Sequence, residues 1–260
     1  MSWRRILFAV ATPGGVPPAI MAKVAQLAHG ADAELELFYC VFDAQLTRPR
    51  RFGSRGIEED IQYLVEQHRQ QLEAVAAPLR AQGARVRTTV RWDHPVYEGI
   101  VRQVLRRRPA LLVVQSSRSS RVGRLVLTHT DYRLIENCPV PVLVIKGEQS
   151  YAKPRIVAAV DPLHAHDKPA ALDIAILDAA RAVSAALQGR LHLYHACEPW
   201  RDSVRQSAGL RRVARAVQAE AHASHCQRAE SRVAALERDY RVPSDRAHVE
   251  QGRVATALPR

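Results

Sequence analysis

Arg4-Arg5-Ile6-Leu7-Phe8-Ala9-Val10-Ala11 decides the fold, because the chain writes this pattern twice. The run is apolar and of strand length. Pro13-Gly14-Gly15 ends it, and helical spacing at Ile20, Val24 and Leu27 follows. The pattern returns at Pro154-Arg155-Ile156-Val157-Ala158-Ala159-Val160-Asp161, again with a loop and an apolar helix behind it. Short continuous apolar runs between turn residues read as strands buried on both faces. A repeat this long means tandem domains, not a solenoid.

Working outward, the first copy alternates strands and helices. Pro17 and Pro18 suit a helix start and Gly30 its end. Glu34–Val41 is the second strand, and residues 42–55 form a long loop. Ile57, Ile61, Leu64, Leu72, Val75 and Leu79 mark a long amphipathic helix closed by Gly83. Val86, Thr88, Val90 and Trp92 alternate with polar residues, as in a half-exposed strand. Pro95 opens another helix, Leu111–Val114 is a fourth strand, and a short helix falls around Asp131–Asn137. Val140–Ile145 is the fifth strand. Strand–helix alternation predicts a mostly parallel sheet with helices on both faces and right-handed crossovers.

The second copy repeats the first half. Arg155–Val160 is its first strand, a helix carries Leu172, Ile176, Ala179, Val183 and Leu187, and Leu191–Ala196 is the second strand. A long helix spans roughly Val204–Asp239, Ala247–Val249 is a third strand, and Thr256–Arg260 begins the next helix. The expected division is one complete domain over 1–147 and a second over 153–260, truncated after its third strand. Cys40 and Cys197 occupy matching places near the ends of the two second strands.

Composition narrows the function. The chain has 260 residues, 47% of them hydrophobic, and no apolar run near the roughly 20 residues that span a bilayer. Arg4 and Arg5 before an apolar stretch mimic a signal peptide, but the stretch is short and broken by Pro13. A cytoplasmic protein is expected. Four cysteines without a CxxC pair read as reduced, mostly buried thiols. The net charge of +12 divides into +7 before residue 151 and +5 after it, so it is no tail. Arginine supplies most of it, which favours weak adhesion to anionic partners. The densest clusters, Arg106-Arg107-Arg108 and Arg211-Arg212-Arg215, lack interleaved aromatics and any helix-turn-helix or RNA-binding signature. Specific nucleic-acid binding is not expected.

Val90-Arg-Trp-Asp-His-Pro-Val-Tyr-Glu-Gly-Ile100 and Thr128-His-Thr-Asp-Tyr-Arg-Leu-Ile-Glu-Asn-Cys-Pro-Val-Pro-Val-Leu-Val-Ile145 resemble the universal stress protein family, specifically its tandem-domain E type. The resemblance covers nearly all of 1–146 and the first half of a second unit in 153–260. It implies a Rossmann-like α/β fold, akin to the adenine nucleotide alpha hydrolases. Each open parallel five-stranded sheet would run in order 3-2-1-4-5, with the second copy incomplete. It also implies stress adaptation. In nucleotide-binding members an acidic residue ends the first strand, and a loop with spacing Gly-x2-Gly-x9-Gly-Ser/Thr wraps ATP phosphates. Glycines there let backbone N–H groups approach an anion near a helix N-terminus.

Carried over residue by residue, the first copy departs from that pattern. The glycine positions fall on Gln115, Arg118 and Thr128, the hydroxyl position on His129, and the acidic position on Ala11 or Thr12. Val41 is a further ATP-site position. Side chains at the three glycine sites obstruct a phosphate cradle. Gln115-Ser-Ser-Arg-Ser-Ser-Arg121 could still grip an anion through Arg118 and Arg121, although such a loop is more often just solvated surface. The second copy keeps Asp161 at the acidic position, as a ribose or base contact or as a helix cap.

Other chemistry is thin. His222-x-x-His225-Cys226 puts three ligand types near one helical turn, and Cys197 or His195 could complete a set if the second strand's end meets that helix. The spacing matches no recognised zinc pattern, so no metal is expected. Ser116, Ser117, Ser119 and Ser120 form no nucleophile elbow, and Glu58-Glu59-Asp60 sit at a helix start. The expected function is a non-enzymatic scaffold that senses a ligand or docks a partner, without a cofactor. The alternatives are an ATP-binding switch using Asp161 and a weak nucleic-acid-associated basic protein. In the second copy the central strand would become a hydrophobic edge, which predicts a homodimer or other self-association, or an unidentified protein partner, but no membrane.

Overall fold

The computed structural model describes residues 3–47, 56–115, 128–147, 150–163, 169, 171–197 and 208–252, with the side chains of 208–219 left out. The chain divides into two compact units: Met1–Ala152 with Ala185–Leu187, and Lys153–Ser184 with Gln188–Arg260.

The first unit is a five-stranded parallel sheet built from β1 (Arg5–Ala9), β2 (Glu34–Val41), β3 (Val86–Trp92), β4 (Leu111–Gln115) and β5 (Val142–Ile145). Its order is β3-β2-β1-β4-β5. β1 lies between β2 and β4, pairing Ile6 with both Leu35 and Leu111. Central position explains its composition: Ile6, Leu7, Phe8 and Ala9 are all buried because helices cover both faces. The connecting helices are α1 (Pro18–Gly30), α2 (Ile57–Ala81), α3 (Val96–Arg107) and α4 (His129–Asn137). Leu7, Ala9, Phe38, Cys40, Leu112 and Val114 face one way and pack with Ile100 and Val104 of α3 and Leu134 of α4. Ile6, Phe8, Leu35 and Leu37 alternate with these and point to the other face, where right-handed crossovers put α1 and α2. β3, at the sheet edge, is half-exposed with Arg87 and Arg91 in solvent.

Chain order fixes the sheet order here. Two successive crossovers step outward from β1 to β3, the chain returns through α3, and two more strands add on the other side. That return creates a switch point between β1 and β4, and ligand crevices in open α/β sheets open at the carboxyl ends of strands flanking such a point.

The second unit contains β6 (Arg155–Ala159), α5 (Ala171–Ala186), β7 (Arg190–Cys197), α6 (Ala208–Tyr240) and β8 (Ala247–Gln251). Its three strands are parallel in order β6-β7-β8, which is β1-β2-β3 of the first unit over again. Ala158, Val160, Leu177, Ala180, Leu193, Val233 and Val242 form its core. Among the described residues β6 pairs only with β7, and Val157 on it is 41% exposed.

Two details differ from the sequence reading. β4 runs one residue further, so Gln115 is a strand residue paired with Ile145 and not the first residue of a loop. The short helix starts at His129, two residues early, because Thr128 caps it. The Arg118 position and residues 116–127, 204–207 and 256–260 lie outside the described residues.

Candidate functional site

The carboxyl ends of β1, β2 and β4 place Thr12, Val41 and Gln115 along one rim of the first sheet, and α4, which carries the chain back from β4 to the parallel β5, begins at Thr128. Thr12 is exposed, and its carbonyl accepts the Gly15 N–H at 3.1 Å in a tight turn. Val41 is buried, pairs with Trp92, and its carbonyl accepts the Asp93 N–H at 3.1 Å. The acidic position of a nucleotide site therefore carries Ala11 and Thr12, both exposed and neither able to accept as a carboxylate does.

The N-terminus of α4 is where a phosphate would be bound, since free N–H groups and the helix dipole favour an anion there. That place is taken. Asp131 accepts the Thr128 N–H at 2.8 Å through Oδ2, and the Thr128 hydroxyl accepts the Asp131 N–H at 3.2 Å. The pair is a reciprocal capping box. Asp131 is 5% exposed, so its carboxylate is a buried anion at the helix start. Thr128 spends its hydroxyl and its N–H on this cap, and His129 is exposed on the first turn. The sequence reading missed Asp131 as part of the site. The signal was present as Thr128-x-x-Asp131, a spacing known from helix caps.

Behind this rim, β2 and β3 end in a second polar cluster. Arg102 donates to both oxygens of Asp93, from Nε at 2.8 Å and Nη2 at 2.6 Å, and to Glu98 at 3.0 Å. The guanidinium holds the Asp93 carboxyl below its usual range. Cys40 packs beside it, and burial, then the Asp93 charge, pushes its thiol up to about 12. A thiol so raised stays protonated and is not activated to react first. Phe42 stacks on His94 with ring centroids 4.0 Å apart. Deeper in the sheet, Glu36 is buried and accepts from Thr89, Gln103 and Arg107 at 2.8, 2.6 and 2.9 Å. These networks fix α3 on the sheet.

In the second unit, Asp161 lies two residues past the end of β6 and is 7% exposed. Its N–H donates to Oδ1 of Asp173 at 3.1 Å. Asp173 is in the first turn of α5 and is as buried. α5 starts at Ala171, so Asp161 is not in its cap position. His195 Nδ1 donates to the Val160 carbonyl at 2.9 Å, which directs its buried Nε2 elsewhere. The end of β7 does meet α6: Cys197 and Cys226 pack together with Ala229. Burial, and then the charges of Arg228, His195 and His222, lower the pKa of His225. Among the described residues, no group of three or more His, Cys, Asp or Glu side chains converges as a metal site. Nor is any described helix long and apolar enough to cross a membrane.

Comparison with known proteins follows the same division. Residues 2–146 match the model of the universal stress protein family, more than half of the chain. Universal stress protein E of Photorhabdus laumondii subsp. laumondii is 28% identical over 79 residues, which are 30% of this chain and 25% of that protein. The matched stretch is thus about a quarter of the relative's length. A functionally unknown protein of Pseudomonas aeruginosa PAO1 superposes with a TM-score of 0.68 at 19% identity, over 99% of this chain and 77% of that one. A putative universal stress protein of Pseudomonas aeruginosa UCBPP-PA14 gives the same values. At these identities the structures speak for the fold, and the family match over residues 2–146 carries the assignment. The five parallel strands, their switch-point order and that match make the chain a member of the universal stress protein family, whose proteins serve the stress response.

Proposed function

We propose that this chain is a non-enzymatic stress-response scaffold, acting in the cytoplasm, that docks a partner and does not use ATP in its first unit. The observation that carries this reading is the Asp131 carboxylate on the Thr128 N–H at 2.8 Å. A triphosphate placed there meets a buried negative charge and finds the first donor already paired. Like charges at such distance cost several kcal/mol in a poorly solvated site. Gln115 adds bulk where bare backbone would have to approach phosphate oxygens. Among the described residues of the rim no nucleophile is paired with a base, which is the minimum for hydrolysis. The four cysteines are free thiols, as suits a reducing compartment.

The second unit supports a second reading. Asp161 and Asp173 lie together, buried, at the end of β6, beside His195 on β7. A carboxylate so placed can accept from ribose hydroxyls or a base edge, which makes a nucleotide contact at Asp161 the runner-up.

Equilibrium dialysis of the full chain with labelled ATP tests both. Absence of micromolar binding is the expected result. Micromolar binding that survives Asp161→Asn overturns the first reading. Micromolar binding that Asp161→Asn abolishes moves the function to the second unit.

A further inference from the structure

Two of the four cysteines lie against each other in the second unit. Cys197 is the last residue of β7 and has no solvent exposure, while Cys226 on α6 is 5% exposed. They pack with Ala229 in one buried cluster, and Leu163 and Val249 close around it. His222, one turn earlier on α6 and partly exposed, brings Nε2 to 3.7 Å and Nδ1 to 4.0 Å from the Cys226 sulfur.

These positions give the two thiols different chemistry. Thiolate is the reactive form, and a neighbouring imidazole supplies the base that makes it. Cys226 has that base and the edge of solvent. Cys197 has neither, and burial pushes its thiol up to about 12. Zinc is the other use for thiols beside an imidazole, but it needs about four converging ligands, and the described residues offer no group of even three.

We infer that Cys226 and Cys197 form an oxidisable dithiol, with Cys226 reacting first with a hydroperoxide and Cys197 closing the disulfide. His222 takes the Cys226 proton. The thiolate sulfur attacks one peroxide oxygen, the O–O bond breaks, and the leaving hydroxide recovers the proton as water. Cys226 is then a sulfenic acid, oxidised by two electrons, and the peroxide is reduced by two. The Cys197 sulfur attacks the sulfenic sulfur, the S–O bond breaks, and the second water carries off the hydroxyl and the Cys197 proton. Two thiols and one peroxide become one disulfide and two waters, or one water and an alcohol for an organic peroxide. The bond ties the carboxyl end of β7, two residues past His195, to the middle of α6. Thiol exchange with a small dithiol reverses it.

The test treats the native full chain with hydrogen peroxide and maps tryptic peptides without reduction. The expected product joins residues 191–201 to residues 216–228 through Cys197 and Cys226, with the mass of two hydrogens lost and Cys40 and Cys138 still alkylatable. Dithiothreitol restores both thiols. Cys197→Ser leaves a sulfenic acid on Cys226 that a cyclic dione traps. His222→Gln slows the peroxide reaction severalfold, yet the pair still closes with diamide, which needs no base at that position. Oxidation of Cys138 while Cys226 stays reduced overturns the inference, and so does stoichiometric zinc shielding both thiols in the native protein. Because the mapping is made on the wild-type chain, neither outcome depends on a variant folding.

Discussion

Asp131 and Thr128 satisfy each other at the start of α4, with the Thr128 N–H on the Asp131 carboxylate at 2.8 Å and the Asp131 N–H on the Thr128 hydroxyl at 3.2 Å. This relationship makes the start of α4 a structural joint. Asp131→Ala removes one half of the box and leaves the Thr128 N–H without its acceptor in a half-buried place. The expected loss is about 1 kcal/mol of unfolding free energy. Urea unfolding followed by circular dichroism reads it, and an unchanged midpoint would show the cap to be idle.

Gly99 on α3 has no room for a side chain. A Cβ there would lie 2.5 Å from the Cys40 sulfur and 2.9 Å from Asp93 Cβ. Asp93 cannot swing away without losing Arg102, which holds both of its oxygens. Gly99→Ala therefore strains the joint between α3, β2 and β3, by about 1–3 kcal/mol for an overpacked site. Helix propensity alone predicts the opposite sign, a gain of nearly 1 kcal/mol. The direction of the urea midpoint decides between packing and propensity.

Lys23 is a buried lysine on α1 whose ammonium donates to the Lys146 and Gly147 carbonyls at 3.0 and 2.8 Å and lies 4.8 Å from the Tyr151 ring centre. Burial lowers its pKa, but the two carbonyls keep the charge useful. Lys23→Met fills the space and leaves both carbonyls without that donor. A loss of about 1–3 kcal/mol is expected. Hydrogen exchange should rise first at Val142–Ile145, the strand these carbonyls terminate, and uniform exchange across the unit would contradict the clamp.

His192 and His248 stack in the second unit, with Nδ1 of the first 3.1 Å from Nε2 of the second. Burial is the main cause that lowers the His192 pKa, followed by His248, Arg246 and Arg155, with Asp245 opposing. A histidine depressed in the folded state binds fewer protons than in the unfolded chain, so stability rises with pH across its titration. The second unit should keep full stability above about pH 6.5, the ordinary histidine value, and lose it as the pH falls below. Thermal unfolding between pH 7.5 and 5 measures this, and His192→Gln should flatten the dependence. A midpoint that rises on acidification would reverse the assignment.

Among the described residues β6 pairs on one side only and carries the exposed Val157, and unpaired parallel edges invite another chain. A second copy of this chain is the expected occupant. Light scattering over a concentration series should find dimers, and Val157→Lys should shift them to monomers, since lysine is a common guard of exposed edges. A wild-type chain that stays monomeric throughout the series would remove this reason for self-association.

Much of the architecture could be read directly. Buried parallel strands declare themselves as short apolar runs, so Ile6–Ala9 and Ile156–Val160 marked the two units, and alternation at Val86–Trp92 marked an edge. Local chemistry determined these elements: a central strand must be apolar on both faces, and glycine or proline must end it. The site was less legible. From the resemblance the sequence suggested Gln115, Thr128 and His129 as family positions that depart from the motif, because a motif is read locally. It did not say that Asp131 accepts the Thr128 N–H, that Asp173 meets Asp161, or that Cys197 and Cys226 share one cluster. Those pairs join residues on different elements, or turn on which way one helix end faces. Only packing of strands and helices into a sheet with a defined crossover hand brings such side chains within a hydrogen bond's length.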